Sequence, residues 1–344
     1  MHCAASELSD SLGVGALEAA LPAEAEAALG GIGVGDAEAD GVLARLVSYL
    51  RAQLSGALRE ALRPLAAIAA VTVLSAAGRP LLPEREGFDP VSFAACAAVS
   101  AAALGSYGSV YAVGTRTLTA LADFSHALLP TLTAAAAAAG APTSAAAKYA
   151  AAALFSDLLL TASERLILPL IGVCAAAGCA SAALGGAIDG PVRCAVWCVR
   201  WGMKALVLCF TGYLSLTGIL SSGADAAAVR AAKSALGTLL PVVGRTVADA
   251  SDALLSGAAL LRNSVGAFGL AAVLGILALP VLRLGVHCLL YRLTAALLAP
   301  AAGSRVARVL GAVGDAFGML LGLVGAAAVI LFLAIFSLLR TVVG

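Results

Sequence analysis

The chain has 344 residues, 61% of them hydrophobic and 12% charged, with a formal net charge of +1 and a mean hydropathy of +1.00. Soluble domains carry about 25% charged residues. Half that share leaves no polar surface to clothe a water-facing globule of this length, which excludes a soluble enzyme.

The first 40 residues carry eight acidic side chains (Glu7, Asp10, Glu18, Glu24, Glu26, Asp36, Glu38, Asp40) and no Lys or Arg, so the remainder holds 21 basic and 12 acidic residues. Residues 1–40 read as a solvated, mobile leader. No basic segment followed by an apolar core opens the chain at Met1, so no signal peptide is expected. Residues 41–63 then place Leu43, Val47, Leu50, Leu54, Leu58 and Leu62 at helical spacing, with Arg45, Arg51 and Arg59 between them. This pattern predicts an amphipathic helix lying on a membrane surface or a partner. Pro64 opens a shorter apolar run, Leu65–Ala77, that spans a bilayer only if the preceding helix extends it.

Residues 64–344 form the membrane domain. Five windows in it lack Asp, Glu, Lys and Arg: Val91–Thr115, Leu166–Ile188, Ala205–Ala224, Asn263–Leu282 and Ala316–Leu339. Each matches the roughly 20 residues a helix needs to cross about 30 Å of hydrocarbon, and a helix satisfies its own backbone polar groups there. An alanine-rich soluble bundle would need a charged stripe every turn or two, which these windows lack. The fold class is therefore all-α: a polytopic membrane bundle of about six to eight spans. Gly314, Gly318 and Gly322 recur every fourth residue and predict a smooth packing face on the last helix.

Proline spacing points to an internal repeat. Pro80, Pro130 and Pro169 are followed 111 residues later by Pro191, Pro241 and Pro280, and Leu128-Leu129-Pro130 matches Leu239-Leu240-Pro241. This reads as tandem units at about 80–190 and 191–301, with a truncated third at 302–344, an arrangement often built around a membrane pathway. Between the spans, Pro130, Gly140 and Pro142 interrupt one uncharged segment, and Pro241 and Gly244 interrupt its counterpart. Such density predicts broken or re-entrant helices lining a cavity, or plain interfacial hairpins. The ionisable residues flanking these segments are the pathway candidates: Lys148, Asp157, Glu164 and Arg165 in the first copy, and Arg245, Asp249, Asp252 and Arg262 in the second.

Catalytic chemistry is not legible. Asp123, Ser125 and His126 have triad residue types, but on one helix their side chains fan outward. The eight cysteines form no C-x-x-C pair and read as small apolar residues, so neither a metal nor a cofactor is expected. No phosphate-cradling loop followed by Lys appears. The flanking arginines do not fix the orientation in the membrane.

The stretch Lys233–Pro300 resembles the stage III sporulation protein AE family. The resemblance is carried by Lys233, Ser234, Pro241-Val242-Val243-Gly244-Arg245, the paired Asp249 and Asp252, Leu260-Leu261-Arg262-Asn263, Val265-Gly266, Leu279-Pro280 and Tyr291-Arg292-Leu293. Weaker similarity extends over most of Val42–Gly344. It implies a multi-pass protein, without assigned catalytic residues, in the mother-cell-derived membrane around the forespore. The implied partners are the other stage III sporulation A proteins, including a cytoplasmic ATPase, and stage II sporulation protein Q, together forming a channel or feeding apparatus. No nucleic acid is among them. A stand-alone secondary transporter and a non-transporting scaffold are the competing functions. Relatives often begin with an export-type apolar segment, which is not visible here.

Overall fold

A computed structural model describes residues 14–31, 33, 39–78, 90–138, 142–184, 186–239 and 244–339, and among these there are helices and turns but no strand. The helices are α1 (Val14–Ala19), α2 (Ala23–Leu29), α3 (Ala39–Gly78), α4 (Pro90–Ala138), α5 (Pro142–Ala162), a π turn (Ser163–Ile167), α6 (Leu168–Ala183), α7 (Asp189–Leu239) and α8 (Gly244–Leu339).

Part of the acidic leader is docked rather than solvated. Leu17, Ala25, Ala28 and Leu29 are buried, and a Cβ added at Gly275 of α8 would lie 3.2 Å from Leu29 Cγ. The apolar residues of α1 and α2 fall on one side, so these short helices lay that side on the bundle and keep their carboxylates outward. Gly30 ends α2 in the left-handed region (φ 63°), where glycine pays no Cβ penalty. Arg45 then donates to the carbonyls of Leu29 and Gly30, both at 3.1 Å.

The amphipathic segment and the short apolar run form one helix of 40 residues, α3, with Pro64 inside it. An internal proline costs roughly 3 kcal/mol; the continuous buried stripe Ala57, Ala61, Leu65, Ile68, Thr72 and Ser75 offsets this by packing on both sides of it. The leucine face points away from the bundle: Leu43, Val47, Leu54 and Leu62 are exposed.

Pro130 does not break α4, which runs through it for 49 residues. The chain instead turns between Ala138 and Pro142. Pro142 opens α5, where a missing N–H costs nothing, while Gly140 lies outside the described residues. Contacts between residues equidistant from this turn, Thr119 with Glu164 and His126 with Asp157, make α4 antiparallel to α5 and the π turn. Pro169 has a visible consequence. Its ring excludes a regular bond to the carbonyl four residues earlier, and just before it the helix widens so that Leu168 N–H donates to Ser163, five residues back. A π turn absorbs the proline without ending the helix. The next reversal uses Gly186 (φ 96°), whose N–H donates to Ser181 at 2.8 Å.

The 96 residues of α8 are helical throughout, yet α8 is folded in two. Cys288 Sγ lies 3.5 Å from the carbonyl oxygen of Gly314, 26 residues on, where a straight helix would separate them by about 39 Å. Gly266 faces Leu339, Gly269 faces Ile335, and Arg292 pairs with Asp315 at 2.7 Å. All these pairs are centred near residue 302, in the sequence Pro300-Ala301-Ala302-Gly303. The two limbs, Ala259–Ala299 and Arg305–Leu339, are separate candidate spans.

Among the described residues six segments are long and apolar enough to cross a bilayer: Gly41–Ala77, Pro90–Ala138, Ala153–Ala183, Asp189–Ser215 and the two limbs. Their contacts give alternating directions, with α3, α5–α6 and the first limb running one way and α4, α7 and the second limb the other. The second limb holds the centre, where Tyr107 and Tyr291 both pack on Phe317, with ring centroids 5.8 and 5.1 Å away.

The proline pairs sit in unlike settings. Pro169 follows a π turn, its counterpart Pro280 is buried in an unbroken helix, and Pro80 and Pro241 lie outside the described residues.

Candidate functional site

The hairpin of α4 with α5–α6 brings polar side chains together. His126 Nε2 lies 3.3 Å from Asp157 Oδ1, and Thr119 Oγ1 donates to Glu164 at 3.3 Å. On the other side of α4, Glu60 of α3 pairs with Arg283 of the first limb at 3.7 Å. Thr119 to His126 covers about 10 Å of helix. Beside them a narrow apolar slit is lined by Ser125, Ser156, Ser163, Leu206, Leu323 and Ile330, among others, with room of about 20 Å³, enough for about one water. The Ser156 hydroxyl is buried there with no partner among the described residues. The π turn begins at Ser163 and forms one wall, a setting in which π turns recur at functional positions.

Depth decides what these groups mean. Leu206, Leu323 and Ile330 belong to the charge-free windows Ala205–Ala224 and Ala316–Leu339, so the slit, and the His126–Asp157 pair next in sequence to its Ser125 and Ser156, lie beside apolar stretches of the chain. Ionisable groups held at hydrocarbon depth face a partner, an interior or water. The side chains of His126 and Asp157 are nevertheless 60% and 65% exposed on the isolated chain. They face outward, toward something other than this chain's core. An exposed pair contributes at most about 1 kcal/mol, so Asp157→Asn and His126→Gln should leave the thermal unfolding of the detergent-solubilised protein within a few degrees of the parent.

The remaining candidates are dispersed. Pro280 lines a cavity of about 240 Å³ under α2, together with Arg116 and Arg283. Arg262 is 3% exposed near the start of the first limb; its Nη2 reaches Asn263 Oδ1 at 3.4 Å, while Nε and Nη1 have no partner among the described residues. Pro130 and Pro169 lie exposed on helix surfaces, and Arg165 is exposed in the π turn. Gly244, Arg245, Asp249 and Asp252 fall in the opening turns of α8, and Lys148 in α5, where side chains are outside the described set. Gly314 and Gly318 face Arg292 and Cys288 of the first limb, whereas Gly322 faces Met203 of α7. Among the described residues no three His, Cys, Asp or Glu side chains are grouped to hold a metal ion.

Sequence reading singled out Asp157 and Glu164 but not Thr119, Ser156, Glu60 or Arg283. The signal was available for the first: once the chain reverses between Ala138 and Pro142, residues equidistant from that reversal face one another.

Six alternating apolar helices packed through small residues define a multi-pass α-helical membrane protein. The family model described as stage III sporulation protein AE matches residues 36–341. The chain belongs to that family and is a sporulation-related protein. A stretch of 97 residues is 36% identical to stage III sporulation protein AE of Bacillus subtilis (strain 168), covering 28% of this chain and 24% of that protein. No solved structure matches the chain.

Proposed function

We propose that this chain is the multi-pass membrane subunit of the stage III sporulation A complex, in the mother-cell-derived membrane around the forespore. In this reading it works with the other stage III sporulation A proteins, the cytoplasmic ATPase among them, and with stage II sporulation protein Q to support forespore development. The observation that carries subunit status is the outward-facing His126–Asp157 pair, which adjoins the slit lined by residues of two apolar windows. Lipid is a poor neighbour for such a pair, and a partner helix or a second copy is a better one. The slit beside it has room for about one water, so a conduit for larger solutes would form between chains rather than inside one.

Affinity purification of the tagged chain from sporulating cells tests this. The stage III sporulation A proteins should co-purify, and His126→Leu with Asp157→Leu should cut their recovery about tenfold, as loss of a desolvated polar contact of about 1–2 kcal/mol would. The purified chain alone, reconstituted in vesicles, should move no solute. Substrate-dependent flux from the chain alone would contradict the subunit reading and favour a stand-alone permease. Undiminished recovery of partners with the double variant would sink the role of the pair.

A further inference from the structure

At the end of the bundle where α6 turns into α7, a cleft of about 690 Å³ opens between α6, α7 and the second limb of α8. Its polar wall carries Arg193 and Arg200 from α7 and Arg308 from the second limb, and its acidic residues are Asp189 and Asp315. Both carboxylates are engaged: Asp189 accepts the Ser181 hydroxyl, and Asp315 pairs with Arg292 at 2.7 Å. A Cβ added at Gly186 would lie 3.0 Å from both Arg308 Nη1 and Asp189 Oδ2, which places the Arg308 guanidinium beside that carboxylate. Arg193 and Arg200, two helical turns apart on one face of α7, have no ion-pair or hydrogen-bond partner among the described residues. The cleft therefore presents uncompensated positive charge. Its remaining wall is apolar, from Val192, Val196, Ala307 and Met319.

Position fixes the class of ligand. Lys204 on α7 and Asp315 on the second limb are each followed directly by a charge-free window, Ala205–Ala224 and Ala316–Leu339. The cleft thus straddles the edge of the apolar zone. Trp197 lines it, and Trp201 stacks on Trp197 with ring centroids 6.1 Å apart; both are about 60% exposed. Tryptophan concentrates at the head-group level of a bilayer, and basic pockets between membrane helices take phosphate head groups. Arginine suits this because its planar fork binds phosphate oxygens in pairs.

We propose that this cleft binds a phosphate group through Arg193 and Arg200. The phosphate of an anionic phospholipid, with its acyl chain against the apolar wall, fits the cleft's mixed lining better than free phosphate does.

The chain's two tryptophans are Trp197 and Trp201, so intrinsic fluorescence reads the cleft mouth directly. The full chain, in a non-ionic detergent, is titrated with brominated phosphatidylglycerol and with brominated phosphatidylcholine. Phosphatidylglycerol should quench at a mole fraction about tenfold lower, and Arg193→Gln with Arg200→Gln should erase that preference, each charge at the surface being worth a severalfold change. Arg45→Gln with Arg51→Gln on α3 should leave it intact, and far-ultraviolet circular dichroism confirms that each variant is folded. Equal quenching by the two lipids, or a preference that survives in the folded Arg193/Arg200 variant, would overturn the proposal. Inorganic phosphate added at millimolar concentration separates the sources: full reversal of quenching assigns the site to free phosphate, and no reversal assigns it to the lipid.

Discussion

Gly178→Ala should destabilise the bundle by about 1–3 kcal/mol, the usual cost of an overpacked core, and Gly178→Leu should prevent accumulation in the membrane. Gly178 of α6 is buried against the second limb, and a Cβ there would lie 2.7 Å from Ala312 Cβ. Neither partner has a rotamer to yield with, so the two backbones must separate. The expected remedy is specific. With Ala312→Gly the nearest remaining atom is Ala312 Cα at 3.8 Å, an ordinary contact, so the double variant should recover most of the lost thermal stability in detergent. Lipid gives no hydrophobic reward for pressing helices together, and close approach of small residues carries that task. If Gly178→Ala melts at the parental temperature, the helices are not packed as described.

Arg262→Met should leave the purified protein at least as thermostable as the parent and yet reduce spore formation by orders of magnitude. A guanidinium that is 3% exposed, with Nε and Nη1 unpartnered among the described residues, costs several kcal/mol to desolvate. Exchange for an apolar side chain of similar length removes that cost. A residue that opposes stability in the isolated chain is understood if the assembled state uses its charge, the default reading of an ionisable group within a membrane segment. Differential scanning fluorimetry and spore counts on the same variant check both halves. A large loss of thermal stability would make Arg262 a structural residue with a partner in this chain.

Much of the fold was legible because charge-free length is a strong signal. Val91–Thr115, Asn263–Leu282 and Ala316–Leu339 fall within candidate spans, and Leu166–Ile188 and Ala205–Ala224 overlap theirs in part. The reversal between Ala138 and Pro142 was one of the two readings open for that segment, proline being favoured at the start of a helix. Proline inside a long apolar segment was less legible. Pro130 read as a potential break and yet lies within a helix, as Pro64 and Pro280 do, because neighbouring helices hold the segment together when one backbone bond is missing. Pro169 produced a π turn, a response that depends on the register of its neighbours. The leader misled for a different reason. Its acidity signals solvation, while docking rests on a few apolar residues, Leu17, Ala25 and Leu29, that need the surface around Gly275 to have a purpose. The leucine face of α3 pointed outward for a related reason, since the bundle takes the face with small residues and leaves the larger ones to lipid or a partner.

The candidate site was the least legible part. Asp157 and Glu164 stood out as charges near apolar windows, but their partners His126 and Thr119 were fixed only by the register of the α4 hairpin. Ser156, as one serine among many, carried no sequence signal at all. The arginines of α7 were likewise ordinary flanking charges until the second limb of α8 folded back beside them.

The alternating six-span bundle is tested most directly by labelling single cysteines in a background lacking the native eight. Cysteines at the exposed positions Gly41, Ala187 and Ala299 are challenged with a membrane-impermeant maleimide in intact and in permeabilised cells. Three candidate spans separate Gly41 from Ala187, and two more separate Ala187 from Ala299. Ala187 and Ala299 should therefore react from one side of the membrane and Gly41 from the other. Labelling of Gly41 and Ala187 from the same side would contradict the bundle.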